Sequence, residues 1–475
     1  QQTTSGKLPF LFTQSQAIHA RSWIPTMDSP GVRTTYEAVV RVPAGMRAVM
    51  SAAEGRHEPA RGLYRFRMDQ AIPAYLIALA AGEIDFKAMS PRTGVYAEPA
   101  VVEKAAWEFA DTEKMVQVAE RLYGPYRWGR YDIIVLPPSF PFGGMENPRL
   151  TFATPTIIAG DRSLMALVAH ELAHSWSGNL VTNATWNDFW LNEGFTSYIE
   201  NRIVEEVYGR EVAEMEALLA QRQLREAMAD PQMKPEDTRL LIDLAGRDPD
   251  EGMTDVAYDK GANLLRMLEK RFGRARFDAF LRRYFEGNAF KSMTTPRFLD
   301  ILKRDLFGGD EALWKQVGVE DWIHKPGLPD TVVVPSSPRY DKAVAAAEAF
   351  ARTGALEGVG QGWVTTEWLG FLNALPKEMT AGQMAALDAR FKLSQSGNSE
   401  VRFAWLMHVV RNTYEPGFTS LEDFLTRMGR RKFLRPLYRA LDENARTKEL
   451  ARRIYAKARP TYHPIAVSSI DEVLK

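Results

Sequence analysis

The chain has 475 residues, 45% of them hydrophobic, enough to bury large cores and by length to form about three domains. Sixty basic side chains balance sixty acidic ones, so no overall field draws the protein to nucleic acid, and the longest near-continuous apolar run, Ile72 to Ala81, falls far short of the ~20 residues that span a bilayer. There is no cysteine, which excludes disulfides, thiol nucleophiles and Cys-based metal sites and leaves His and carboxylates as the strong ligands.

The chain opens at Gln1 without a charged-then-apolar leader, consistent with a start that has been removed. The compartment therefore stays open between the cytoplasm and, had a signal segment been cleaved, the periplasm or the medium. Oligomeric state has no signature in the sequence. Residues 1–86 read as a β-sheet domain, with strands at Thr35 to Val42, Gly62 to Met68 and Ala74 to Ala80 between Pro and Gly turns. Residues 87–326 are mixed α/β, with a helical stretch at Ala100 to Leu122 and a strand at Tyr131 to Leu136. A Pro-rich extended linker over 327–338 precedes 339–475, where Ala343 to Ala351, Trp368 to Leu375, Glu400 to Val410 and Leu450 to Ala458 pattern as helices. That last third is all-α, as stacked, superhelical helix pairs.

Asp161-Arg162-Ser163 reads as the start of a helix that continues through Leu164, Leu167, Val168 and Leu172 and stops at Gly178-Asn179. Within it His170-Glu171-Leu172-Ala173-His174 puts two imidazoles one turn apart on one face, where they can grip one ion. A hydrolytic zinc site needs a third protein ligand and an open position for water. Glu193 supplies it, from a second helix that starts after Asn187-Asp188, ends at Gly209 and returns antiparallel. Glu171 lies beside the two ligands and suits a general base; Glu200, two turns beyond Glu193, suits a hydrogen-bond acceptor for a ligand imidazole, with Asn192 as a further supporting residue. The cofactor this implies is one Zn2+ per chain. The competing reading is of ordinary surface histidines and helix carboxylates.

Upstream, Phe142-Gly143-Gly144-Met145-Glu146-Asn147-Pro148 follows an apolar strand. By its residues alone it reads either as a backbone that approaches a ligand, with a carboxylate for a cation, or as a turn with one exposed acid. Tyr258 likewise reads as a core tyrosine at a helix start, and Arg427 to Arg439 as a solvated basic helix face.

Taken together, GGMEN, HELAH and Asn192-Glu193-Gly194, with eighteen residues between His174 and Glu193, resemble the zinc aminopeptidases of the gluzincin class. The likeness is to their branch of leukotriene-epoxide hydrolase and aminopeptidase B, with its bacterial cold-active aminopeptidases. It extends to Gln14-Ser15-Gln16-Ala17-Ile18-His19, Tyr258-Asp259-Lys260-Gly261 and Gly429-Arg430-Arg431-Lys432-Phe433. The resemblance implies a thermolysin-like catalytic domain. It implies that Glu146, assisted by Gln16, binds the substrate's free α-amine, that Gly143, Gly144 and Met145 hold its backbone extended, and that Tyr258 stabilises the oxyanion. It implies that Arg430 and Lys432 grip the carboxylate of short peptides with a free N-terminus. Asp250 matches the aspartate that directs epoxide hydrolysis, but Met253 stands where that enzyme has a tyrosine. The β-sheet domain of such enzymes is larger than 1–86, so the chain reads as incomplete at its N-terminus. The expected activity is metal-dependent release of N-terminal residues; the rivals are a bifunctional enzyme that also opens epoxides, a zinc endopeptidase and a silent peptide-binding scaffold.

Overall fold

The computed structural model describes residues 3, 4, 6 and 8–475. The N-terminal part is β-rich. Strand Arg33–Arg41 pairs antiparallel with Leu63–Pro73, in the register Tyr36↔Met68 and Val40↔Tyr64, and Ala53–Glu54 pairs on the other side. Along the second strand Tyr64, Phe66 and Met68 are buried while Arg65, Arg67 and Asp69 are exposed, the period of two of a half-buried strand. A second small sheet sets Leu79–Gly82 between Leu11–Phe12 and Arg47–Met50. The strand expected over Ala74 to Ala80 is therefore only its last part. The chain leaves the long strand at Pro73 and makes a 3-10 turn over Ala74–Leu76, which buries Tyr75 and Leu76.

The middle of the chain is α/β. Its five-stranded sheet runs in the order Gly144–Met145, Leu150–Ala153, Tyr131–Val135, Thr93–Ala97, Asp85–Ala88; the three inner strands are parallel and both outer pairings antiparallel. The sheet thus begins at Asp85, and Gly144–Met145 is an edge strand. The helical stretch expected over Ala100 to Leu122 divides into Pro99–Glu108 and Thr112–Tyr123, broken where the Thr112 hydroxyl donates to Phe109 O at 2.7 Å.

The histidine-bearing helix is shorter than its sequence pattern. It spans Ala166–Ala173, because Arg162 turns with φ 59° and the N–H groups of Gly160 and Arg162 donate to the Glu108 carboxylate instead of to a helix cap. The second helix, Trp190–Tyr208, ends at Gly209 as the pattern predicts. Against it packs Gly261, at the start of helix Gly261–Phe272, immediately after a π-turn over Val256–Lys260. A Cβ on Gly194 would meet Gly261 Cα at 2.7 Å, and one on Gly261 would meet Gly194 Cα at the same distance. Two glycines let the segments touch backbone to backbone, and this presses Tyr258 towards Glu193.

After the segment 325–337 the chain is helical, from Pro338–Thr353 to Pro464–Val473, with no strand among the described residues. One apolar core extends from Phe10 to Ile323 and a second from Ala343 to Ile470. The architecture is a β-rich N-terminal region, a mixed α/β unit and an all-helical C-terminal domain. Among the described residues no helix is long and apolar enough to cross a membrane.

Gly194→Ala should force the Gly194–Gly261 crossing apart and cost about 1–3 kcal/mol, as overpacking does. Thermal unfolding with bound metal measures it; an unchanged melting temperature would show that the backbone contact is not tight.

Candidate metal centre

The last turn of the first helix and the first turn of the second face each other. His170 Nε2 and His174 Nε2 are 3.2 Å apart, and Glu193 Oε2 lies 3.3 Å from the first and 3.4 Å from the second. Three corners of a tetrahedron with bonds of ~2.0–2.1 Å are about 3.3–3.4 Å apart, so the three donors match the face of a four-coordinate zinc site. Glu193 Oε2 is buried and makes no well-formed hydrogen bond, which fits an atom whose partner is an ion. The charges agree. Although burial opposes it, the imidazoles of His174 and His170 hold the Glu193 carboxyl down to about 2. Against the same opposition, Glu146 and Glu193 raise His174 to about 9, and the carboxylates of Glu193 and Glu200 raise His170 well above its ordinary value. A divalent cation would take the place of those protons.

The second nitrogens are also held. His170 Nδ1 is 2.8 Å from Glu200 Oε2, as the spacing on the second helix predicts. His174 Nδ1 lies 3.1 Å from both Ser177 O and Thr196 Oγ1, partners the sequence reading missed. Glu193, Thr196 and Glu200 are i, i+3 and i+7 on one helix face, so the signal was there. Between the helices Gly178 has φ 95°, and a Cβ there would meet Asn192 Oδ1 at 2.3 Å and His174 Nδ1 at 3.0 Å. The turn requires glycine. Ser177 Oγ donates to Asn192 O at 2.7 Å, and Asn192 is fully buried with its amide reaching Tyr75 Oη at 3.5 Å.

Carboxylates surround the triangle. Oxygens of Glu146 and Glu171 and a ring nitrogen of His174 all lie within 4.8 Å of one another. Glu146 is buried, which overturns its reading as an exposed turn acid, and burial raises its carboxyl above the ordinary range. Its backbone carbonyl accepts from Asn179 Nδ2 at 2.7 Å, and Gln16 Nε2 reaches its Oε1 at 3.5 Å. Burial pushes Glu171 up to about 7. A Cβ on Gly144 would strike Glu171 Oε1 at 2.2 Å, and one on Gly143 would strike Arg430 Nη2 at 2.7 Å, so both glycines make room for these side chains. Met145 is buried in the edge strand opposite Phe152, with Gln14 Nε2 donating to its sulfur at 3.4 Å.

Tyr258 stacks on His170, with ring centroids 6.0 Å apart and planes at 18°, and meets Phe189 edge-on. Burial, reinforced by Glu193, Glu146 and Glu171, keeps its hydroxyl protonated well beyond the usual range. Tyr75, which sequence reasoning did not single out, is buried within the fields of Glu146 and Glu193 and is protonated for the same reasons. Arg430 is not on a solvated basic face: its side chain is 11% exposed and pairs with Glu400 at 3.3 Å, while half-exposed Lys432 reaches Glu400 at 2.8 Å. Asp250 Oδ2 is 3.5 Å from His19 Nε2, and its Oδ1 is buried and unpartnered. Met253 is half-buried.

Comparison with known proteins covers nearly the whole chain. Residues 1–76 match the peptidase M1 N-terminal domain, 107–318 the peptidase family M1 domain and 363–474 the leukotriene A4 hydrolase C-terminal domain. Leukotriene A-4 hydrolase of Xenopus laevis is 39% identical over 97% of this chain and 78% of its own length. Leucine aminopeptidase 2 of Yarrowia lipolytica is 38% identical over 100% of this chain and 76% of its own. Among solved structures, yeast LTA4 hydrolase in complex with bestatin superposes with a TM-score of 0.91 at 36% identity, over 100% of this chain and 79% of that one.

Glu200→Gln should weaken metal binding about 10- to 100-fold, because the ligand imidazole loses its anionic partner. Zinc retention against a graded chelator reads this directly; wild-type retention would show that Glu200 does not orient His170.

Proposed function

We infer the reaction from one premise, that this chain belongs to peptidase family M1, together with one observation, the burial of the Glu146 carboxylate beside the metal-ligand triangle. The chain is a zinc metallo-aminopeptidase, and its substrates are peptides. His170, His174 and Glu193 hold the zinc, which when bound polarises a carbonyl and brings the pKa of water from 15.7 towards roughly 7.

The chain's own residues divide the remaining work. A peptide's α-amine is largely cationic at neutral pH and pairs with Glu146 in a desolvated pocket, with Gln16 beside it, whereas an internal amide gains nothing there. Because Glu146, Glu171 and His174 converge within 4.8 Å, an amine held by Glu146 brings the first peptide bond, and no later one, to the reacting centre. The unpaired side of the edge strand Gly144–Met145 accepts the substrate backbone as an added strand, with Gly143 leaving room beside it. Glu171 removes a proton from the attacking water and returns it to the leaving amine, a two-way role that suits a carboxyl near neutrality. Tyr258, kept protonated, donates to the developing oxyanion. Arg430 and Lys432 receive the far carboxylate of short peptides.

Among the rivals, an endopeptidase has no use for a buried amine anchor. Epoxide hydrolysis stays outside the proposal because its one candidate residue, Asp250, is engaged by His19 at 3.5 Å and Met253 stands where the resemblance would call for a tyrosine.

A free-amine tripeptide should be cleaved from its amino end while its acetylated twin is not, and chelator should abolish the reaction. Glu146→Gln should erase most of that discrimination while zinc stays bound; equal cleavage of both peptides by the wild type would sink the aminopeptidase reading. Tyr258→Phe should lower kcat about 10²- to 10³-fold with little change in KM, and a variant that keeps kcat but loses KM would reassign the tyrosine to substrate binding.

A further inference from the structure

The paired cations Arg430 and Lys432 are already engaged by a carboxylate of their own. Glu400 Oε1 accepts from Arg430 Nη1 at 3.3 Å, and Lys432 Nζ donates to both Glu400 oxygens, at 2.9 and 2.8 Å. The Glu400 side chain is only 13% exposed. It sits in the first turn of helix Ser399–Arg411, where the helix dipole favours an acid, and Asn398 Oδ1 caps that end by accepting from the N–H groups of Glu400 and Val401.

Both sides of the group are bolted to the catalytic unit. On one side Thr365 Oγ1 donates to Ser163 Oγ at 2.8 Å and Asn398 Nδ2 to Thr365 Oγ1 at 2.7 Å, three residues ahead of the histidine-bearing helix. On the other, Gly429 N donates to Pro138 O at 2.7 Å and Arg431 N to Pro141 O at 2.8 Å, on the loop that leads into Gly143. Arg430 Nη1 also reaches Thr156 Oγ1 at 3.3 Å. The cations and their carboxylate are thus held at a set distance from the metal-ligand triangle, and the trio carries one net positive charge.

We propose that Glu400 is the built-in counterion of Arg430 and Lys432 and sets how strongly the enzyme prefers a free peptide carboxylate. It acts as a positioning residue: it holds the two cations at one spacing and cancels one of their charges, so an incoming carboxylate meets a weakened field and competes with Glu400 for the same N–H donors. A neutral side chain there leaves both donors and both charges to the substrate. This rests on the reading of Arg430 and Lys432 as the carboxylate grip.

The measurement is the ratio of kcat/KM for a tripeptide to that for its C-terminal amide. Glu400→Gln should raise the ratio about three- to tenfold, chiefly through KM of the free acid, since removal of a nearby like charge strengthens the pairing. Glu400→Ala serves the same purpose should the Gln variant fail to retain zinc, and Glu400→Asp, which keeps the charge, should stay near the wild-type ratio. Arg430→Met and Lys432→Met should each lower it. If those two lower the ratio but the neutral Glu400 variants leave it unchanged or lower it, the counterion role is overturned while the grip stands. A rise in Glu400→Asp equal to that in Glu400→Gln would overturn it too. If neither cation variant moves the ratio, the grip reading itself fails and takes the counterion role with it.

Discussion

Two imidazoles and a carboxylate crowded within 3.4 Å of one another, in a site where Glu193 and His174 are almost wholly buried, are the constraint around which this protein is organised. The carboxylates favour charged imidazoles and the imidazoles favour a charged Glu193, so His170 and His174 are raised and Glu193 is depressed although burial opposes all three. A divalent ion resolves that conflict and leaves one face open. The neighbouring turn serves the same three atoms: Gly178 makes room for Asn192 and His174, Ser177 ties the two helices together, and Thr196 and Glu200 face the outer imidazole nitrogens.

Around that centre the chain gathers side chains from all three of its parts. The N-terminal region contributes Gln16 and Tyr75, the α/β unit the edge strand and Tyr258, and the helical domain Arg430 and Lys432. Three of the approaches around it depend on glycine. Gly194 against Gly261 brings the tyrosine element down onto the ligand helix, and Gly143 and Gly144 leave the volumes that Arg430 and Glu171 occupy. The proposed choice of a terminal amine rests on burial, because a carboxylate such as Glu146 discriminates a cation only when water is kept from it.

The parts that were legible in the sequence have short-range causes. Helical period and the i, i+4 histidines gave the first two ligands, the glycine stop at Gly209 gave the end of the second helix, and helical spacing gave Glu200. Misreadings arose where a remote partner overrode a local pattern. Asp161 to Ser163 has the composition of a helix cap, yet Glu108, more than fifty residues upstream, takes the N–H groups and delays the helix to Ala166. The run Ala74 to Ala80 is apolar throughout, and apolarity alone cannot tell a strand from a buried turn.

By itself, then, the sequence determined the class of chemistry: without cysteine, and with His170, Glu171, His174 and Glu193 on two helices at those spacings, it offered one candidate set of metal ligands and one candidate base. Only the tertiary structure decided what surrounds them. The burial of Glu146, the presence of Tyr75 and the engagement of Arg430 and Lys432 by Glu400 all join segments distant in the chain. A charged side chain reads alike in sequence whether it is solvated or buried; its neighbours set its electrostatic energy, and packing chooses the neighbours.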